Sequence, residues 1–183
     1  RPSLALYPGY RKTVQGLAGY CTLGLLADGD PDVQVRKVNA LRVQKFFKSI
    51  IFTGKYDEAK WKPNPFCFTL MARVLGLHPR ELVYVADNPL TDFLGAKKAG
   101  YYTLRVMTGE FRDKKVPMEF EAHRSIKDLN ELPEYLNEYF RCALAGGRLR
   151  PPGGGVLRRP AGSGGVGVAP GPGVGFPARG GRL

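Results

Sequence analysis

Residues 81–100, ELVYVADNPLTDFLGAKKAG, decide how the rest of the chain is read. An apolar, β-branched run (Leu82, Val83, Tyr84, Val85) stops at Ala86 and meets Asp87 at once. Asn88-Pro89 is a turn pair, and Asp92 opens a helical pattern carrying Phe93, Leu94, Ala96 and Ala99. Lys97 and Lys98 suit the last turn of that helix, and Gly100 suits the position just beyond it. The order is strand, acid, turn, acid, helix. Open parallel sheets bind ligands beyond the carboxyl ends of their strands. Two carboxylates at such a point suit a hard cation such as Mg²⁺, which takes oxygen ligands and few of them from protein. Asp92 can equally be read as a helix N-cap beside an incidental surface Asp87.

Working outward, the same alternation recurs. Pro8 suits the start of a helix through Tyr10 to Leu17, and Tyr20 to Leu26 read as a first strand ended by Ala27-Asp28-Gly29. Asp30-Pro31 is an N-cap and first-turn pair before a helix carrying Val33, Val35, Val38, Leu41 and Val43. Residues 49–53 read as a second strand, and a loop rich in Lys follows to Lys62. Asn64-Pro65 opens a helix that Gly76 closes. After strands at 82–86 and 101–106 come a short strand near 122–126 and a helix from Asp128 to about Phe140. Strands alternating with helices of this length predict a three-layer α/β fold, a Rossmann-like parallel sheet with helices on both faces.

At 183 residues the chain is long enough for one cored domain. Its net charge is +12, but seven of the 28 Lys and Arg and none of the 16 Asp and Glu fall in 141–183. That leaves 21 against 16, a net +5, for residues 1–140. The last 43 positions hold 14 Gly and 6 Pro and cannot bury enough apolar surface to offset their ordering entropy, so a disordered tail is expected over 141–183. Arg/Gly-rich segments bind single-stranded nucleic acid in some proteins. With one Arg-Gly-Gly and one aromatic, Phe176, in the tail, nucleic acid is not the expected partner. No apolar run approaches the ~18 residues of a membrane span, and the three cysteines (Cys21, Cys67, Cys142) fit no metal spacing. Reduced thiols and a cytoplasmic location are the expectation.

Four segments in order, YPGYRKTVQGL (7–17), LGLLADG (23–29), KWKPNPFCF (60–68) and VYVADNPLTDFLGAKKAG (83–100), resemble the haloacid dehalogenase-like (HAD) hydrolase superfamily. The resemblance covers roughly residues 6–140 and is nearest to the members with a helical cap inserted after the first strand. It implies a Mg²⁺-dependent phosphate-ester hydrolase working through an aspartyl-phosphate on small phosphorylated substrates. On that scheme Lys62 matches the lysine that offsets the charge of carboxylates and phosphate. Asp87 matches the metal ligand and Asp92 the second acid of the metal motif. Ala27, Asp28 and Gly29 match the phosphate-binding turn.

Departures from the family pattern accompany the match. Ala27 stands where the family has Ser or Thr, leaving the backbone N–H groups of Asp28 and Gly29 to cradle phosphate. Ala86 replaces a usual Gly. No apolar strand ending in Asp-x-Asp-x-Thr occurs in the 183 residues, and the cap that follows it is missing too. The chain opens on Arg1, with Met71 its first Met, and reads as a fragment. Without the Asp nucleophile no covalent step can start, so an inactive polypeptide or a non-catalytic interaction module of the same fold is expected. The family's first strand lies between those matching 20–26 and 82–86. Closure of the gap predicts the parallel order 101–106, 82–86, 20–26, 49–53.

Overall fold

The computed structural model describes residues 4–144 and 173–174. Among the described residues six strands form one parallel sheet: β1 (Gly24–Ala27), β2 (Ser49–Phe52), β3 (Val83–Ala86), β4 (Tyr102–Val106), β5 (Arg124–Ile126) and β6 (Gly173–Val174), in the order β2-β1-β6-β3-β4-β5. Five α-helices alternate with them: α1 (Tyr10–Ala18), α2 (Pro31–Leu41), α3 (Phe66–Leu75), α4 (Phe93–Lys98) and α5 (Leu132–Leu144).

Side chains alternate across the strands and divide the core between two helical layers. Val83 and Val85 pack with Leu25 and Leu104 against α1, α2 and α5, including Tyr10, Val14, Leu17, Val38 and Leu132. Tyr84 and Ala86 point the other way and pack with Leu26 and Ile51 against α3 and α4, among Phe68, Met71, Phe93 and Ala96. Burial on both faces accounts for strands that read as continuous apolar runs. Cys21 and Cys67 are buried free thiols. Among the described residues no helix is long and apolar enough to cross a membrane.

Most boundaries follow local chemistry. Asp30 accepts the Val33 N–H at 2.9 Å, with Pro31 in the first turn, as the N-cap of α2. Gly76 ends α3 in the left-handed region at φ 70°. Three expectations are corrected. Pro8 does not start α1, which begins at Tyr10 after a left-handed Gly9. The strands at 20–26 and 82–86 do not pair directly: Gly173–Val174 lie between them, Gly173 in register with both Gly24 and Tyr84, and Val174 with Val85. Two buried parallel strands left side by side with unpaired N–H and C=O groups are costly, and this short strand satisfies part of that demand. The predicted disordered tail is also wrong at its start, where residues 141–144 continue α5; apart from these and Gly173–Val174 it lies outside the described residues.

Candidate active site

The carboxyl ends of β1 and β3 converge on a cavity of about 470 Å³, lined by Ala27 at the end of β1 and Asp28 after it, Lys62 from the segment between β2 and α3, and Asp87, Asn88 and Asp92 after β3. Five of the six residues singled out from sequence therefore share one crevice. Gly29 is not among the lining residues; it forms the turn behind Asp28 at φ 103°.

Two glycines set how closely the segments approach. A Cβ at Gly54, just past β2, would stand 2.2 Å from the Gly29 carbonyl oxygen. A Cβ at Gly95 in α4 would stand 2.3 Å from the Pro63 carbonyl oxygen, next to Lys62. Contacts that short are not tolerated by any side chain, so both positions let backbone meet backbone. The Lys62–Pro63 peptide is cis.

Lys62 is held from three sides. Its Nζ donates to the Asp92 carboxylate and to the Tyr84 hydroxyl at 3.3 Å, and lies 3.7 Å from Asp28. The Lys62 and Asp92 side chains are 9% and 6% exposed, which makes this a desolvated ion pair. Burial pulls the Lys62 pKa down, yet the negative charges of Asp92 and Asp28 and the Tyr84 hydroxyl carry it well above the ordinary value. Asp92 occupies the N-cap position of α4 but makes no side-chain capping bond there; its carboxylate is given to Lys62 and Tyr84 instead.

Asp87 has the opposite environment. Burial, and then the charge of Asp92, push its carboxyl up to about 6, with Lys62 and Arg105 opposing. A carboxylate whose ionised form is this poorly compensated favours a cation. Among the described residues no group of three or more His, Cys, Asp or Glu is arranged as a ready metal cage. Asp87 and Asp92 are thus two oxygen-ligand candidates rather than a full set.

Two residues escaped the sequence reading. Tyr84 lies inside an apolar strand and blends into that run in the sequence, but its buried hydroxyl donates to Asp92 at 3.0 Å. Its signal was the hydroxyl itself, since a buried phenol needs a partner. Thr53, fully buried after β2, donates to the Asp28 carboxylate and lies 3.4 Å from the Ala27 carbonyl oxygen. Nothing local in the sequence marks that cross-strand link.

A family profile described as HAD-hydrolase-like matches residues 61–132. The chain is 30% identical over 131 residues to a glyceraldehyde 3-phosphate phosphatase from Pyrococcus furiosus, covering 70% of this chain and 53% of that protein. The chain belongs to the haloacid dehalogenase-like hydrolase superfamily. It is also 31% identical to the mouse (Mus musculus) N-acylneuraminate-9-phosphatase, over 61% of this chain and 44% of that one. A HAD phosphatase from Thermococcus onnurineus superposes with a TM-score of 0.59 at 28% identity, covering 71% of this chain and 57% of that structure. The chain spans about half the length of the curated relatives it matches.

Proposed function

We propose that this chain carries the phosphate- and metal-binding half of a HAD-type phosphomonoester hydrolase acting on a small phosphorylated substrate. The observation that supports it is the convergence of Lys62, Asp87 and Asp92 with the Ala27–Asp28 turn at one edge of a parallel sheet. The phosphatase names of the relatives point the same way.

In this reading Lys62 meets the phosphate oxygens and offsets charge as it grows in the transition state. Asp92 and Tyr84 fix the ammonium's position and keep it protonated. The N–H groups of Asp28 and Gly29 supply backbone donors to the phosphate. Asp87, with Asp92 acting through water or by orienting Lys62, would hold Mg²⁺, a hard cation that takes oxygen ligands. Bound there, the ion would supply Lewis-acid polarisation of the phosphate.

The nucleophile is not among these residues. The 183 residues hold no strand ending in Asp-x-Asp-x-Thr. Asp28, which follows β1, is engaged by Thr53 and Lys62, and Asp30 two residues on is occupied as a helix cap. We therefore propose that the chain alone does not turn over substrate. Purified protein with Mg²⁺ and an aryl phosphate should release no phenol above buffer. Hydrolysis that vanishes in Asp87→Asn would reverse this conclusion and make Asp28 the first suspect. A non-catalytic role for the same fold is favoured by one observation, the replacement of a hydroxyl by Ala27 beside an acid that already occupies Lys62.

A further inference from the structure

Between β4 and β5 the chain runs from Met107 to His123 without an α-helix or strand, and Gly109, Glu110 and Phe111 of this strap line the cavity that holds Lys62 and Asp87. Loops of such length without structure of their own need external ties to keep a shape. Three of the ties converge on a single buried cation. Arg105 in β4 is 3% exposed and stands in register with Ala86, the residue before Asp87. Its Nη2 donates to the carbonyl oxygens of Phe111 at 2.6 Å and Lys114 at 2.9 Å, and its Nη1 to the Glu121 carboxylate at 2.5 Å. A second cation works from outside, with Lys97 Nζ donating to the Glu121 and Met118 carbonyl oxygens at 2.7 and 3.3 Å. At the strap's start, the Thr108 hydroxyl is 3.2 Å from that of Tyr10.

We infer that Arg105 is a positioning residue that clamps the 107–123 strap so that Gly109–Phe111 wall the cavity and contact the organic part of a bound phosphate ester. The function of the wall rests on the phosphate-ester reading above; the clamp itself does not. The planar fork explains the choice of residue. Three acceptors spread over residues 111, 114 and 121 need directed donors on one rigid group, which a lysine ammonium at the end of a flexible stem does not offer. Arg105 Nε has no hydrogen-bond partner and is buried. Leaving a donor unmatched in the interior is unfavourable, so the position is held by what the two Nη groups grip.

The test uses the full chain and three variants, Arg105→Met, Arg105→Lys and Glu121→Gln. Trypsin cleavage after Arg112, Lys114 and Lys115 reports opening of the strap, and cleavage after the exposed Lys37 in α2 serves as a reference for global opening. Cleavage within the strap should rise roughly ten-fold or more in Arg105→Met relative to Lys37, because proteolysis tracks the locally opened population. Arg105→Lys should rescue only part of this. Glu121→Gln keeps an oxygen acceptor, loses the charge and should give a smaller rise; it stands in if Arg105→Met fails to fold. In parallel, glycerol 3-phosphate should bind Arg105→Met several-fold more weakly with Mg²⁺ present, while inorganic phosphate, too small to reach the wall, binds both proteins alike. Strap cleavage unchanged in both Arg105→Met and Glu121→Gln, or rising no more than cleavage at Lys37, overturns the clamp. Equal ester affinity in wild type and variant overturns the wall. If wild type binds neither probe, the phosphate reading of the site fails while the cleavage series still decides the clamp.

Discussion

The Tyr84 hydroxyl donates at 3.0 Å to the same Asp92 carboxylate oxygen that receives the Lys62 ammonium. One carboxylate thus neutralises and orients the cation at the centre of the crevice, and a phenol from the strand floor fixes that carboxylate. Taking away one member of a buried ion pair exposes its partner's full desolvation cost, about 3–5 kcal/mol. Lys62→Met should therefore destabilise the fold by about that amount, and Asp92→Asn by a comparable one. The double variant should cost less than the sum. Tyr84→Phe should cost about 1 kcal/mol, the net worth of one hydrogen bond. Urea titrations of the four proteins check this, and additive losses would contradict a coupled unit.

Asp28 places a second carboxylate 3.7 Å from Lys62, where an incoming phosphate would otherwise be the counter-charge. Asp28→Asn keeps an oxygen to accept from Thr53 and removes the repulsion. Affinity for inorganic phosphate should rise, by roughly two- to ten-fold at low salt, and the gain should shrink as ionic strength increases. Calorimetric titration at two salt concentrations measures both. Weaker phosphate binding in Asp28→Asn would show that the acid assists the anion.

The fold was legible because its strongest signals are periodic and local. The apolar run at 83–86, the Asp30-Pro31 cap and the glycine stop at Gly76 each reflect backbone preferences that act within a few residues. Lys62, Asp87 and Asp92 were legible because strand ends concentrate chemistry and the motifs carry a resemblance. What stayed hidden is non-local. Thr53 reaches Asp28 across two strands, and Arg105 sits in a β pattern whose burial argues for an apolar residue until its three acceptors are seen. The insertion of Gly173–Val174 between β1 and β3 was hidden for the same reason, because composition describes how a segment behaves alone and not what a neighbouring unpaired edge offers it.

His123 gives the fold a pH limit. Its Nδ1 accepts the Thr103 N–H at 3.0 Å and lies 2.8 Å from the Thr103 hydroxyl, tying the start of β5 to β4, and its ring stacks on Tyr102. Burial lowers the His123 pKa, and the nearby charges of Lys97 and Arg124 lower it further. The unfolded chain therefore takes up this proton at a higher pH than the folded one. Stability is fully present above the ordinary histidine value near 6.5 and is lost as pH falls below it toward the depressed folded value. Melting temperatures from pH 8 to pH 5 should fall in wild type and fall less in His123→Asn. Parallel curves would rule out this histidine as the source.

The sheet's centre leads to the last expectation. β1 and β3 are four residues long, but β6 between them has only two, one of them a glycine with no side chain to contribute. The cavity that Lys62 and Asp87 line is also lined by Leu25 and Leu26 of β1 and by Val38, Leu41 and Val43, an apolar set. A longer parallel strand with β-branched residues would add hydrogen bonds on both sides and fill that space, as strand addition does at open edges elsewhere. On the family scheme such a strand ends in Asp-x-Asp, which would bring its acids beside Asp87. A synthetic peptide of about eight residues, Val/Ile-rich and ending Asp-x-Asp, should raise the melting temperature by a few degrees, the shift expected of a ~1 kcal/mol gain in a domain of this size. Replacing its central apolar residues with Asn should abolish the effect, and Leu26→Asp in the protein should do the same. A protein whose melting curve the peptide leaves unmoved at saturating concentration has no free strand position, and the Gly173–Val174 segment then holds that place against competition.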